Sequence, residues 1–379
     1  MRNVGAAAIA ALAALGTAAC AGREAPDFAR PLPDGRMALR KITDPARLPD
    51  FSSGFEGRHE TIRAIDQSLA YLAKPSARRA YPYLDITHDR AAASLRAIRE
   101  TLLAASSGAD LNRRIVENFE VYESVGWNDD GEVLFTAYCE PIYNGSLTPT
   151  DLYRYPLYRL PPDLAKAADG TPLGRRAPNG EISTYPSRRE IETRQLLRGS
   201  EIVWLKDPVE AYVVHVQGSA RIRLPDGREM RLGYAGKTDR PYRSVGMELI
   251  KDGRISKSEL SLDRIKSYFR ENPDRVIEYL YRNECYVFFT ERQGGPYGSL
   301  NVPLTDRRSI ATDKAVFPRA APAYVVAGSM RHFALDQDTG GAIRSAGRCD
   351  VYLGSGPDAE ARAGRVHTVG RLYYVFLRD

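Results

Sequence analysis

The stretch ALDQDTGGAIRSAGRCDVYLGSG, residues 334–356, decides how this chain is read. If its end is a strand, Cys349, Val351 and Leu353 point to one side and Asp350 and Tyr352 to the other, because side chains alternate. The apolar set claims a core, which leaves a carboxylate and a phenol on the opposite face. The stretch also holds Asp336 and Asp338 around a Gly-rich turn, and aspartates beside glycine often only shape a turn. Two readings stay open on these residues alone: a pair of carboxylates for acid–base chemistry, or a solvated hairpin. Asp338-Thr339-Gly340 matches the D-T-G loop of aspartic proteases, which need two such loops to share one proton. A single D-T-G would require a symmetric dimer. Gly354-Ser355-Gly356 lacks the strand–turn–helix context of a nucleotide site.

Working outward, short β-type runs dominate from Gly126 onward: Val133 to Tyr138, Ile202 to Leu205, Ala211 to Val216 and Ile222 to Leu224. Tyr286 to Thr290, Ala323 to Ala327, Val351 to Leu353 and Leu372 to Leu377 follow, bounded by turn residues. A helical pattern interrupts them at 261–282. Apolar spacings of three and four predict helices over Glu60 to Lys74, Asp89 to Ala105 and Ala109 to Tyr122. Many short strands with Gly-rich turns point to β-barrel domains with helices packed outside.

The chain has 379 residues, enough for two domains with separate cores. Its net charge of +6 is spread out, and no basic run interleaved with aromatics marks a nucleic acid surface, so no nucleic acid partner is expected. Mild basicity suits an acidic polymer. Met1 to Cys20 reads as an export signal, too short for a comfortable membrane span. A cysteine after small residues is similar to a bacterial lipoprotein cleavage site, with Cys20 the lipidated residue and the outer membrane the destination. Residues 21–54 are rich in Pro, Arg and Asp and read as a tether. Neither CxxC nor HExxH occurs, so no metal is expected, and the five histidines read as structural.

Several motifs together resemble the membrane-bound lytic murein transglycosylase A family. They are FTAYCEPIY (135–143), YPLYRLPPDL (155–164), SRREIE (187–192), HVQGSARIRLPDG (215–227) and PYRSVGMELIKDG (241–253). NECYVFF (283–289), VPLTDRRSIATD (302–313), the opening stretch and VGRLYYVFL (369–377) continue in the same order. The resemblance implies a mainly β protein with flanking helices. A double-psi β-barrel domain and a smaller inserted β-barrel domain would enclose a groove. Signal (1–20) and tether (21–54) would precede helices and the first barrel part (55–160), the insert (161–283) and the barrel's C-terminal part, a 3D domain (284–379).

The implied reaction is cleavage of the β-1,4 bond between N-acetylmuramic acid and N-acetylglucosamine in peptidoglycan without water, leaving a 1,6-anhydromuramoyl end. No cofactor is implied. Asp350 is the implied catalytic acid, with Asp338 and Asp313 in support, and Glu140 is its rival. Tyr138, Glu140, Tyr143, Gln217, Gly218, Ser219 and Tyr352 are expected to contact glycan strands. A lipid anchor through Cys20 would hold the protein at the periplasmic face of the outer membrane; the sequence names no protein partner. A non-catalytic peptidoglycan-binding lipoprotein on the same scaffold is the alternative. Cys139, Cys285 and Cys349 lie in motifs that meet in the barrel, and a Cys139–Cys285 disulfide is the expected pairing.

Overall fold

A computed structural model of the protein describes residues 25–167 and 170–378. The signal segment and Cys20 therefore lie outside the described residues. The opening stretch contains two strands, Met330–Asp338 and Arg348–Ser355, that belong to an eight-stranded sheet. The long strand His367–Leu377 closes this sheet on itself. Its first residues, 367–370, pair with Val133–Glu140, while residues 371–374 pair with Pro322–Ala327. Six strands thus form a ring, in which Ser309–Ala311 runs parallel to Met330–Asp338 and Val133–Glu140 runs parallel to Arg348–Ser355. Gly370 sits where the closing strand changes partner. A Cβ there would lie 2.4 Å from the Val326 carbonyl oxygen, so only glycine allows so close an approach.

The ring encloses Val325, Ala334, Cys349, Val351 and Leu372, each fully buried. Fully burying a side chain of valine or leucine size contributes roughly 1.5–3 kcal/mol, which fixes the strand parity. Three helices, Arg58–Leu72, His88–Ala104 and Gly108–Asn118, cover the barrel with Ile65, Leu95 and Ile115. Thr87 and Ser107 cap the second and third by accepting from Arg90 and Asp110 N–H groups. The third helix ends at Asn118, short of the expected Tyr122. Phe119–Ser124 is a strand that joins the sheet beside His367–Leu377. Part of the expected tether packs on the barrel. Leu39–Lys41 pairs with Phe119–Ser124, and Ala38 and Phe51 are fully buried.

The second unit is a six-stranded sheet in the order Val287–Glu291, Glu229–Lys237, Ser219–Arg223, Ile142–Ser146, Glu201–Leu205, Tyr155–Tyr158. A bridge between Arg159 and Phe289 links its two outer strands. The strands Ile142–Ser146, Tyr155–Tyr158 and Val287–Glu291 lie outside the expected 161–283 insert, yet they pair only with strands of this sheet. By sheet membership the insert runs from about residue 142 to 291. Ala211 to Val216, expected as a strand, is helical within Pro208–Gln217. Asp207 accepts from the Val209 and Glu210 N–H groups and Pro208 stands at the first helical position, so the N-terminal signal outweighs the valines. The pattern at 261–282 resolves into two helices, Leu262–Glu271 and Val276–Arg282, with a short turn beginning at Pro273 between them. Among the described residues no helix is long and apolar enough to cross a membrane.

Candidate active site

Strand register brings two of the three aspartates of the opening stretch together, Asp338 and Asp350. Ala311 pairs with Asp338 on its parallel side and with Asp350 on its antiparallel side. Asp350 also lies opposite Thr136 of Val133–Glu140, and the Thr136 hydroxyl donates to Asp350 Oδ1 at 2.8 Å. Arg348 Nη2 donates to the same hydroxyl oxygen at 3.1 Å, which orients it. Burial pushes the Asp350 carboxyl up to about 6. Asp338 adds to the rise by charge repulsion, while the Thr136 hydrogen bond and Arg348 oppose it. A carboxyl so placed holds a proton below neutral pH and releases it near pH 6, which suits an acid that must later act as a base.

Asp338 is held from three sides. Tyr138 donates to Oδ2 at 2.7 Å, and the Ser299 and Thr339 N–H groups donate to Oδ1 at 2.7 and 2.8 Å. Burial raises its carboxyl, and these hydrogen bonds pull it back. Gly298 lets the Ser299 loop approach, since a Cβ there would lie 2.5 Å from the Gln337 carbonyl oxygen. Asp313 stands apart from this pair. Its carboxylate accepts from the Ala315 N–H at 3.1 Å and the Ser345 N–H at 2.8 Å, fixing its own turn and the loop that leads into Arg348–Ser355. Asp336 is fully buried, facing the other way, bonded to Lys314, Thr312 and Tyr374.

Tyr138 is half-buried beside this pair, its ring 5.4 Å from that of Tyr352. Tyr352 is only 3 % exposed, which makes it a packing partner rather than an open platform. Glu140 is 1 % exposed at the junction of the two units. Ser355 of the barrel donates to its Oε2 at 2.6 Å, and Arg221 of the insert donates to the same oxygen at 3.2 Å. Its Oε1 has no partner among the described residues. A guanidinium from one unit and a hydroxyl from the other hold the Glu140 carboxylate, which fits a joint between domains better than an acid. Tyr143 is buried against Lys266 and Glu360, away from Asp350. Gln217 crosses the junction and accepts from the Cys139 N–H at 3.1 Å. Gly218 ends the helix Pro208–Gln217 in a left-handed conformation, and Ser219 opens the next strand opposite Gly233.

The expectation of a Cys139–Cys285 disulfide is overturned: Cys139, Cys285 and Cys349 are all free and buried. Cys349 faces the barrel core, and Cys285 lies at the base of the insert beside Thr238. Alkylation of the denatured, unreduced protein is expected to label all three of these cysteines, and a disulfide-linked peptide pair in the mass map would contradict this. Thr136, Arg348, Arg221 and Ser355 escaped the sequence reading. The first two were detectable by parity, since each stands two residues before a named one, Tyr138 and Asp350, on the same strand face.

Comparison with known proteins places the chain among related sequences. Residues 134–290 match the MltA specific insert domain, and residues 308–376 match the 3D domain. The chain is 28 % identical over 291 residues to membrane-bound lytic murein transglycosylase A of Escherichia coli K12, covering 73 % of this chain and 74 % of that protein. It is 27 % identical over 269 residues to the Vibrio cholerae protein of the same name, covering 67 % and 68 %. A membrane-bound lytic murein transglycosylase from Agrobacterium tumefaciens superposes with a TM-score of 0.76 at 29 % identity, over 90 % of this chain and 98 % of that one. Escherichia coli MltA crystallised with bound chitohexaose shares the fold, with a TM-score of 0.72 at 23 % identity over 94 % and 100 % of the two chains.

Proposed function

The chain belongs to the MltA family, and from that premise we propose that it is a lytic transglycosylase of peptidoglycan with Asp350 as its single acid and base. The observation that carries the reading is Asp350 itself, raised to about 6 and held by one oriented hydroxyl. In the proposed cycle the Asp350 carboxyl protonates the glycosidic oxygen between N-acetylmuramic acid and N-acetylglucosamine, and the C1–O bond breaks. The C6 hydroxyl of the same muramoyl ring then bonds to C1, and the Asp350 carboxylate takes its proton. No water is consumed, and Asp350 ends protonated as it began. A second carboxylate is unnecessary, because the ring holds its own nucleophile at high effective concentration.

Tyr138 offers an aromatic face at the site, and Asp338 fixes its hydroxyl while raising Asp350. Gln217, which meets Cys139 across the unit boundary, would with Gly218 and Ser219 be the insert's contribution to a glycan groove. Cys20 would anchor the protein at the periplasmic face of the outer membrane. Digestion of peptidoglycan followed by muropeptide mass analysis tests the reading. Anhydro ends are expected, reducing ends would make the protein a hydrolase, and intact glycan that sediments with protein would make it a binding lipoprotein.

The Thr136 hydrogen bond gives a pH prediction. It favours the carboxylate, so Thr136→Val raises the Asp350 carboxyl further. The loss of kcat/KM on the alkaline side, set near pH 6 in the unchanged protein, is expected to move up by about one unit, the size of a hydrogen bond to a charged group. A limb that stays in place or moves down would remove Thr136 from the site.

A further inference from the structure

We propose that the insert carries a second binding site, for the acidic peptide stems of peptidoglycan, in a cavity walled by Tyr155, Trp204 and Tyr281; this rests on the peptidoglycan reading above. The cavity measures about 770 Å³, and every residue lining it lies between 147 and 286, so no barrel strand borders it. That volume is in the range that encloses a small ligand.

Its floor is organised. Arg188 is 2 % exposed, its Nε donating to the Asn283 carbonyl at 3.1 Å and its Nη2 to the Cys285 carbonyl at 2.9 Å. The guanidinium lies 4.7 Å from the Tyr286 ring centroid and 5.5 Å from that of Tyr212. Both acidic residues that border the cavity are engaged. Glu192 accepts from Arg188 Nη1 at 3.3 Å, and Glu201 accepts from the Gly199 N–H at 2.8 Å.

Arg154 and Arg198 differ. Both line the cavity, both are exposed, and neither guanidinium has a carboxylate or hydrogen-bond partner among the described residues. Leu147 and Ile277, 49 % and 39 % exposed, add an aliphatic rim. Two unpaired guanidinium groups, an aliphatic rim and aromatic walls suit a short ligand that carries both carboxylates and methyl groups. The peptide stems of peptidoglycan have this chemistry, whereas a neutral glycan would leave both charges uncompensated. A stem held here while a glycan strand lies against Asp350 would raise the effective concentration of the scissile bond.

Isothermal titration of the full chain with a synthetic stem tetrapeptide (L-Ala, D-Glu, a diamino acid, D-Ala) tests the site. Its carboxamide analogue and chitohexaose serve as comparison probes. The tetrapeptide is expected to bind with a Kd on the order of 0.1–1 mM, and the analogue at least tenfold more weakly. Arg154→Ala with Arg198→Ala is expected to cost at least tenfold in peptide affinity. The same variant should raise KM for intact sacculi and leave turnover of peptide-free glycan unchanged. The double lysine variant, which keeps the charge, should retain most of the affinity. Equal binding of peptide and carboxamide, or unchanged affinity in the alanine variant, would overturn the proposal. Loss of chitohexaose binding in that variant would also overturn it, by making the cavity a glycan site. If the tetrapeptide binds as expected but no anhydro product forms from any glycan, the site stands and the catalytic reading falls.

Discussion

Asp350→Asn is expected to lower the release of anhydro-muropeptides by about 10²–10⁴-fold, the usual contribution of a positioned acid or base. Asparagine has the same shape and still accepts the Thr136 hydroxyl proton through its carbonyl oxygen, so the strand pairing with Val133–Glu140 persists. It has no proton to give and no charge to take one. The far-ultraviolet circular dichroism and thermal transition should therefore match the parent while product release collapses. The outcome also separates Asp350 from Glu140. Glu140 is ion-paired with Arg221 at a buried joint, so retention of turnover in Asp350→Asn would move the acid role elsewhere in the groove, with Glu140 first in line.

Lys314→Met should be the most damaging single change to stability, about 3–5 kcal/mol. Lys314 pairs with Asp336 in the barrel, where the side chains are 6 % and 0 % exposed. Burial pulls the Lys314 ammonium below its ordinary value, and the Asp336 charge pulls it back. Removing the ammonium strands a carboxylate whose remaining donors among the described residues are the Thr312 and Tyr374 hydroxyls, and breaking one half of a buried pair costs about that much. Denaturant unfolding measures the loss. Lys314→Met combined with Asp336→Asn should recover part of it, because no unpaired charge remains. A loss below about 1 kcal/mol in the single variant would mean that Asp336 takes its stability from the hydroxyls alone.

The features legible in the sequence were those carried by strand parity and by motifs. Cys349, Val351 and Leu353 alternate with Asp350 in the structure as the pattern implied, because one apolar face must enter the ring. Tyr352 shares the face of Asp350 as parity implied, but it is not open there, since the Tyr138 ring covers it. Local pattern misread Ala211 to Val216, whose valines favour a strand but whose Asp207-Pro208 start commits the segment to a helix. It also extended the third helix through Phe119 and Tyr122, which fit a helical stripe and a sheet equally well until a partner strand is known. Arg221 and Ser355 matter through contacts 81 and 215 residues away along the chain, and no local pattern encodes such separations. The unit boundaries were misplaced for a related reason. Ile142–Ser146 follows Val133–Glu140 after a single residue, Pro141, so the crossing between sheets leaves no linker to detect.

That abrupt crossing has a consequence for biosynthesis. Val133–Glu140 is made early, but both strands that flank it in the ring, Arg348–Ser355 and His367–Leu377, follow the entire insert. Until His367–Leu377 has been made the ring has no closing strand, and Thr136 waits more than two hundred residues for its carboxylate. Non-local pairings of this kind form late and slowly. A nascent or truncated chain can therefore complete the insert's own sheet, yet it lacks a working site. The proposed site around Asp350 assembles only after His367–Leu377 has been made, which under the reading above would keep an unfinished barrel from cutting the wall.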